Sequence, residues 1–366
     1  MIFHVLAIPT YPTRKEISIC AFTQKVYKFS KAMTQRGHTV FHYGHPDSEV
    51  ECTKHFDVIS RETYDKVYQK KDWRDFHSQK IKNKAHEEFN SNANTLIKKN
   101  KQSDNDFVLA FWGVGHRGAC DPLKNFHVVE PSIGYNSAFA PFKVFESYAH
   151  LHRMLHKISE NEMPSFRDHV IPPGFYLDDF QYSAKKENYL LFLGRMVDAK
   201  GISIAQQLSK AAKVPIKFVG PQNLKNTLEK DNPLAEYIHT VSHEERKELL
   251  SKAKALIMPT LYAEPCGWSM IEAFASGTPV LSTDWGGLSE YNVHGKTGFA
   301  CHSLNEFYHA FHSLGMIDPA YCRQYAKDNF NIDLIMKMYE NYFQHVIDYI
   351  NGSGGIIKEK CRFLKK

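Results

Sequence analysis

The sequence predicts an α/β protein of two domains, each a parallel sheet layered with helices. Three observations carry that expectation. Short apolar runs of strand length alternate with helix-period segments through nearly the whole chain, the pattern of repeated strand–helix units. The 366 residues suffice for two cores of ordinary size. Pro172-Pro173-Gly174, which can continue neither helix nor strand, interrupts the chain near its middle and marks a hinge, with 1–173 before it and the second domain from 174 onward.

The chain opens with an apolar strand, Phe3 to Ile8. Phe22, Val26, Phe29 and Met33 then share one helical face that closes at Gly37, and Val40 to Tyr43 returns to the sheet. Lys66 to Lys101 is polar with sparse apolar positions and reads as surface helices or an insertion. Further strands are expected at Phe107 to Phe111, at His127 to Glu130 and around Val170. Gly113-Val114-Gly115-His116-Arg117-Gly118 has the G-x-G-x-x-G spacing of a dinucleotide-binding turn, with Glu130 ending the next apolar run. That reading fails on length, because too few residues separate Gly118 from the next strand for a crossover helix, and Asp121-Pro122 interrupts any helix there. A glycine loop that brings His116 towards a ligand is preferred, with His150 and His152 competing among 20 histidines.

In the second half Tyr189 to Leu193 runs into Gly194-Arg195-Met196-Val197-Asp198-Ala199-Lys200-Gly201. Arginine offers a rigid fork to phosphate oxygens and lysine a mobile point charge, so the two together can neutralise a diphosphate. After a strand at Ile216 to Gly220, Ala255 to Met258 reads as a buried strand ended by Pro259. The loop Thr260 to Gly267 follows. Trp268, Met270, Ile271, Phe274 and Ala275 then recur at helical spacing until Gly277, and Pro279-Val280-Leu281 starts the next strand. Glu264 therefore lies on the loop and Glu272 on the helix, spaced to touch different parts of one elongated ligand. The helix start near Trp268 and Ser269 favours an anion between them. A ligand with a polyol at each end and phosphate in the middle suits this arrangement.

This segment resembles the retaining glycosyltransferases of family 4, the glycogen synthase- and mannosyltransferase-like group 1 glycosyl transferases. Their hallmark is E-x7-E, an alanine-rich helix, G-x-P-V and a Gly-Gly turn. Glu264, Glu272, Gly277, Pro279, Val280, Gly286, Gly287 and Glu290 match it in order, and Gly194 to Gly201 looks like the family's G-R-x-x-x-x-K-G element. The resemblance implies a GT-B fold, two Rossmann-like domains facing each other across a cleft. It also implies a C-terminal helix, here about Asp333 to Ile350, that crosses back to the first domain. The domains then become 1–173 completed by 330–366, and 174–329. Glu264 is implied to meet the donor sugar, Glu272 the ribose, and Arg195 with Lys200 the pyrophosphate. Cys266, Gly267, Trp268 and Ser269 complete the donor site, and His116 matches by position a first-domain histidine placed near the sugar. Pro131 and its neighbours from Glu130 to Tyr135, with Phe142 to His150, resemble a segment of some family members. One departure is the loop Pro9 to Lys15, which lacks the Gly-Gly pair usual after the first strand and leaves Arg14 or Lys15 as substitutes for a phosphate contact.

The implied function is metal-independent transfer of a hexose, with retention, from a nucleoside-diphosphate sugar to an acceptor hydroxyl on a glycan, a lipid-linked sugar or a protein. No cofactor or metal is expected: no D-x-D stands near the site, and the cysteine and histidine spacings lack a second ligand pair. A nucleotide-sugar epimerase and a non-catalytic nucleotide-sugar-binding protein of the same fold are the rivals. The charge of +6 suits an anionic substrate or membrane surface as well as nucleic acid, but no basic stripe with spaced aromatics supports the last. Seven cysteines without a paired framework suit a reducing compartment, and no apolar run is long enough to span a bilayer. A cytoplasmic protein is expected. The basic tail from Lys358 to Lys366 reads first as a solvated surface, with peripheral membrane contact as the sharper alternative.

Overall fold

The computed structural model describes residues 1–69, 74, 81–158, 165–221 and 232–352. The basic tail and part of the polar stretch after Lys66 lie outside them. Among the described residues two compact units form, one of Met1–Glu146, Leu151–Gly174 and 333–352, the other of Ser147–His150 and Phe175–Ile332.

The first unit holds a seven-stranded parallel sheet: β1 (Ile2–Leu6), β2 (Thr39–Gly44), β3 (Lys54–Asp57), β4 (Phe107–Ala110), β5 (His127–Ile133), β6 (Phe142–Phe145) and β7 (Asp168–Val170). Their spatial order is β3-β2-β1-β4-β5-β6-β7, so the direction of winding reverses between β1 and β4. The helix Ile332–Ile350 belongs to this unit, as the fold class expects: Phe343 packs its ring against Phe3 and Phe107, each at 4.8 Å between centroids. Arg36 fixes the same helix by a two-pronged pair with Glu340, both hydrogen bonds 2.8 Å.

The second unit repeats the plan with six parallel strands: β8 (Leu190–Leu193), β9 (Ile216–Val219), β10 (Ala235–Ile238), β11 (Ala255–Met258), β12 (Val280–Thr283) and β13 (Gly298–Cys301). The order β10-β9-β8-β11-β12-β13 reverses between β8 and β11. Leu190, Leu191, Leu256, Ile257, Met270, Ile271 and Phe274 share one buried core. Strands buried on both faces explain the unbroken apolar runs read from the sequence.

Four strands escaped the sequence reading, among them β13, a four-residue edge strand that opens on Gly298. β3 and β10 are four-residue edge strands carrying Lys54, Asp57 and Glu236, so they lack an apolar run. In β6 the interruption is Lys143, which pairs with Asp168 of β7 at 3.6 Å. Of the two readings of the polar stretch before Lys101, surface helices hold for its described part: the helix Lys84–Lys99 buries one face through Ala85, Phe89, Ala93 and Ile97. Among the described residues no helix is long and apolar enough to cross a membrane.

Candidate active site

In doubly wound sheets a ligand crevice opens beyond the carboxyl ends of the strands, where the winding reverses. In the second unit that point lies between β8 and β11, and the loops leaving these two strands are Gly194 to Gly201 and Pro259 to Gly267. The Leu261 amide donates to the Ala199 carbonyl at 2.9 Å, joining the two loops. Gly201 closes the first loop with φ +74°, and a Cβ there would stand 1.9 Å from the Pro259 carbonyl oxygen, so only glycine allows this approach.

The joined loops bring Lys200 to Glu264. The ammonium donates to Oε2 of the carboxylate, and the side chains keep only 18% and 13% of their exposure. Burial alone would lower the lysine pKa; the facing carboxylate and the Tyr262 hydroxyl outweigh it and hold the group above its usual value. Lys200 also sits 5.1 Å from the Tyr262 ring centroid. Burial, then the Glu264 charge, raises the phenol in turn.

The Gly-Gly turn supports this loop from beneath. A Cβ on Gly286 would lie 2.7 Å from the Glu264 amide nitrogen, and one on Gly287 would lie 2.4 Å from the Pro265 oxygen. The Gly287 amide donates to the Glu264 carbonyl at 2.7 Å. Thr283 and the Trp285 indole both donate to the Thr260 carbonyl at 2.9 Å, which fixes the start of the loop.

Behind the loop, the helix Trp268–Ala275 begins at Gly267, φ +87°, with no side-chain cap, so its first N–H groups lack the usual side-chain acceptor. Glu272 stands on this helix and Arg246 on the helix His243–Lys252; the guanidinium donates Nε–H and Nη2–H to a single carboxylate oxygen, Oε2, the first at 2.8 Å. Arg195 is exposed on the β8 loop. The Cys266 side chain is buried in the core, so only its backbone faces the loop, while Trp268 and Ser269 are half-buried, the indole packing against Phe175. Six of the expected donor-site residues, Arg195, Lys200, Glu264, Gly267, Trp268 and Glu272, thus lie on elements at or behind one crevice.

His116 belongs to the first unit and differs from expectation. The segment Gly113–His116 is a tight 3-10 turn continued by the short helix Arg117–Cys120, where the sequence reading expected a glycine loop presenting a side chain. The imidazole is wholly buried. Trp112 N–H donates to Nδ1 at 3.3 Å, which leaves the proton on Nε2, and Nε2 donates to the Ala7 carbonyl at 2.7 Å. Burial drives its pKa down to about 3. The ring therefore ties together the loops after β1 and β4, with neither nitrogen open to a ligand. Arg14, the substitute phosphate group, is held by Glu49 at 2.9 Å and by the Asp47 carbonyl at 2.6 Å.

Two residues of the site escaped the sequence reading, Arg246 and Tyr262. Tyr262 stands two positions before Glu264 and could have been flagged by adjacency. For Arg246 the only local signal was the capping box from Ser242 to Glu245, which marks a helix start and says nothing about where the guanidinium goes.

Known proteins bear on this arrangement. Residues 177–307 match the family model described as glycosyl transferases group 1. The glycogen synthase of Mycobacterium tuberculosis (strain ATCC 25618 / H37Rv) is 38% identical over 65 residues, which are 18% of this chain and 16% of that protein. The chain thus aligns with about a sixth of that relative's length. Among solved structures, a sucrose-phosphate synthase from Thermosynechococcus elongatus superposes with a TM-score of 0.69 at 17% identity, covering 95% of this chain and 100% of that one. AviGT4, a glycosyltransferase involved in avilamycin A biosynthesis, gives 0.68 at 18% identity, covering 97% and 99%. Anabaena HepE, solved in complex with UDP and glucose, gives 0.62 at 13% identity, covering 96% and 99%. These likenesses establish the fold: two parallel-sheet α/β domains of the GT-B kind. Within it, residues 177–307, which hold Glu264, Glu272, Arg195, Lys200 and Arg246, are similar to the glycosyl transferases group 1 model.

Proposed function

We propose that this chain is a retaining, metal-independent glycosyltransferase of family 4 that moves a hexose from a nucleoside-diphosphate sugar to an acceptor hydroxyl in glycan or glycolipid assembly. The observation that carries the reading is the pair of ion pairs at one winding reversal, Lys200 with Glu264 and Arg246 with Glu272, flanking an uncapped helix start. A diphosphate would take Lys200 and the helix N–H groups, with Arg195 beside them, and free Glu264 for the sugar hydroxyls. Glu272 would take the ribose.

The bond from the anomeric carbon to the phosphate oxygen breaks, and the acceptor oxygen bonds to that carbon from the same face. The acceptor proton passes to the departing phosphate. Glu264 positions the sugar and does not attack it, and His116 serves by fixing loops of the first unit. A non-catalytic nucleotide-sugar-binding role is the second reading, favoured by Arg14, whose local ion pairs occupy the substitute phosphate contact of the first loop.

The test is thermal unfolding with UDP, GDP and ADP, EDTA present, on the wild type and on Glu272→Ala. A ligand at a hundred times its Kd stabilises by about 2.7 kcal/mol. Stabilisation of the wild type by one diphosphate, lost in the variant, is the expected result. No response to any of the three would overturn the reading. Turnover of the corresponding sugar donor without a partner protein then separates enzyme from binding protein.

A further inference from the structure

Glu272 is held in an unusual way for a group meant to grip a ribose. Both Arg246 donors fall on Oε2, and among the described residues no other group donates a hydrogen bond to this carboxylate, which leaves Oε1 open although the side chain is only 12% exposed. The Arg246 side chain keeps 19% of its exposure. A half-buried carboxylate oxygen with no donor is unfavourable unless something completes it. A hydroxyl group can donate to that open acceptor.

We propose that Arg246 is a positioning residue that decides how this protein reads the ribose. By taking up Oε2 it fixes the orientation of Glu272, so that Oε1 is presented to the hydroxyls of the diol. The rigid fork is what makes this possible, because a glutamate alone has three rotatable bonds and no fixed direction. The inference rests on the reading of Glu272 as the ribose contact.

The test measures affinity for the nucleoside diphosphate that stabilises the wild type, and for its 2′-deoxy and 3′-deoxy forms, in the wild type, Arg246→Met, Arg246→Lys and Glu272→Ala. The wild type should prefer the full ribose over each deoxy form by tenfold or more. Arg246→Met should shrink both preferences to threefold or less, while its affinity for the doubly weakened deoxy forms changes little. Arg246→Lys should recover part of one preference. A residue with a merely structural role would weaken all three ligands equally and leave the preferences intact, and that result overturns the proposal. Should Arg246→Met not fold, Arg246→Lys carries the same comparison, with wild-type preferences overturning it. If Glu272→Ala also keeps the ribose preference, the ribose reading has failed; if Glu272→Ala loses it and the Arg246 variants keep it, only this inference has.

Discussion

Lys200 and Glu264, 64 residues apart, neutralise each other at the mouths of β8 and β11, with most of both side chains withdrawn from solvent. A site built for a diphosphate would otherwise hold an unpaired cation. On the proposed function, donor binding would be an exchange of partners, the phosphate replacing the carboxylate on Lys200. Breaking a half-buried pair by removing one side leaves an uncompensated charge, so Lys200→Met or Glu264→Gln should each lower unfolding stability by about 2 kcal/mol. The double variant should lose less than the sum, measured by a denaturant double-mutant cycle. Ligand binding separates the two: Lys200→Met should lose its response to the nucleoside diphosphate, and Glu264→Gln should keep it while turnover collapses. Equal binding by both variants would sink the exchange.

The Gly-Gly turn makes a second prediction with an internal control. Gly287 has no left-handed backbone angle, so its requirement is contact alone: the added Cβ would press on the Pro265 oxygen, at 2.4 Å. Gly295 has φ +75° and open space around it, so its requirement is conformation alone. Gly287→Ala should cost about 1–3 kcal/mol by overpacking and also displace the Glu264 loop, reducing turnover well beyond the stability loss. Gly295→Ala should cost about 1–2 kcal/mol of strain and leave the kinetics alone. If the two variants behave alike in turnover, the turn is not what aims Glu264.

The contrast between what the sequence shows and what it hides follows from distance along the chain. The placement of Glu264, Glu272, Arg195 and Lys200 on these elements was legible because each loop is local: a strand end, a few residues and a helix start hold the whole motif. Arg246 was not, because its contact with Glu272 joins two helices on either side of β11, and no spacing rule within either helix reports it. His116 was misjudged for the same reason. Its glycines suggested an open loop, but its role is set by the Ala7 carbonyl, 109 residues away. Most strands with an unbroken apolar run were easy, while β3, β10 and β13 at sheet edges and β6, interrupted by Lys143, were not.

His116 gives a test that depends on pH. Its folded pKa, about 3, lies below the unfolded value of roughly 6.5. The unfolded chain therefore takes up the proton first as pH falls. The contribution is full above pH 6.5 and drains away towards pH 3, reaching a loss of about 2 kcal/mol at pH 5. His116→Gln, which does not titrate, should show a flatter stability between pH 7 and pH 5. Turnover that survives in this variant, once its stability at neutral pH is allowed for, fits a ring that only holds loops. A folded variant without turnover would return His116 to the catalytic group.

Glu340 titrates with the same sign through a different cause. Its hydrogen bonds from Arg36 hold the carboxyl down to about 2 against burial, with His38 adding to them at 3.0 Å. Because the folded value is depressed, the stabilisation is complete above the ordinary carboxyl range and is lost as pH falls from about 4.5 towards 2. The pair retains some solvent access, so screening reduces it to about 1–2 kcal/mol. This contact attaches the helix Ile332–Ile350 to the first unit, alongside the Phe343 packing. Glu340→Gln should therefore loosen that helix first, seen as faster amide exchange along 332–350 at pH 7 with little change in β8 to β13. Below pH 2 the wild type and the variant should converge. A difference that persists there would mean that packing lost with the substitution, and not the ion pair, accounts for the effect.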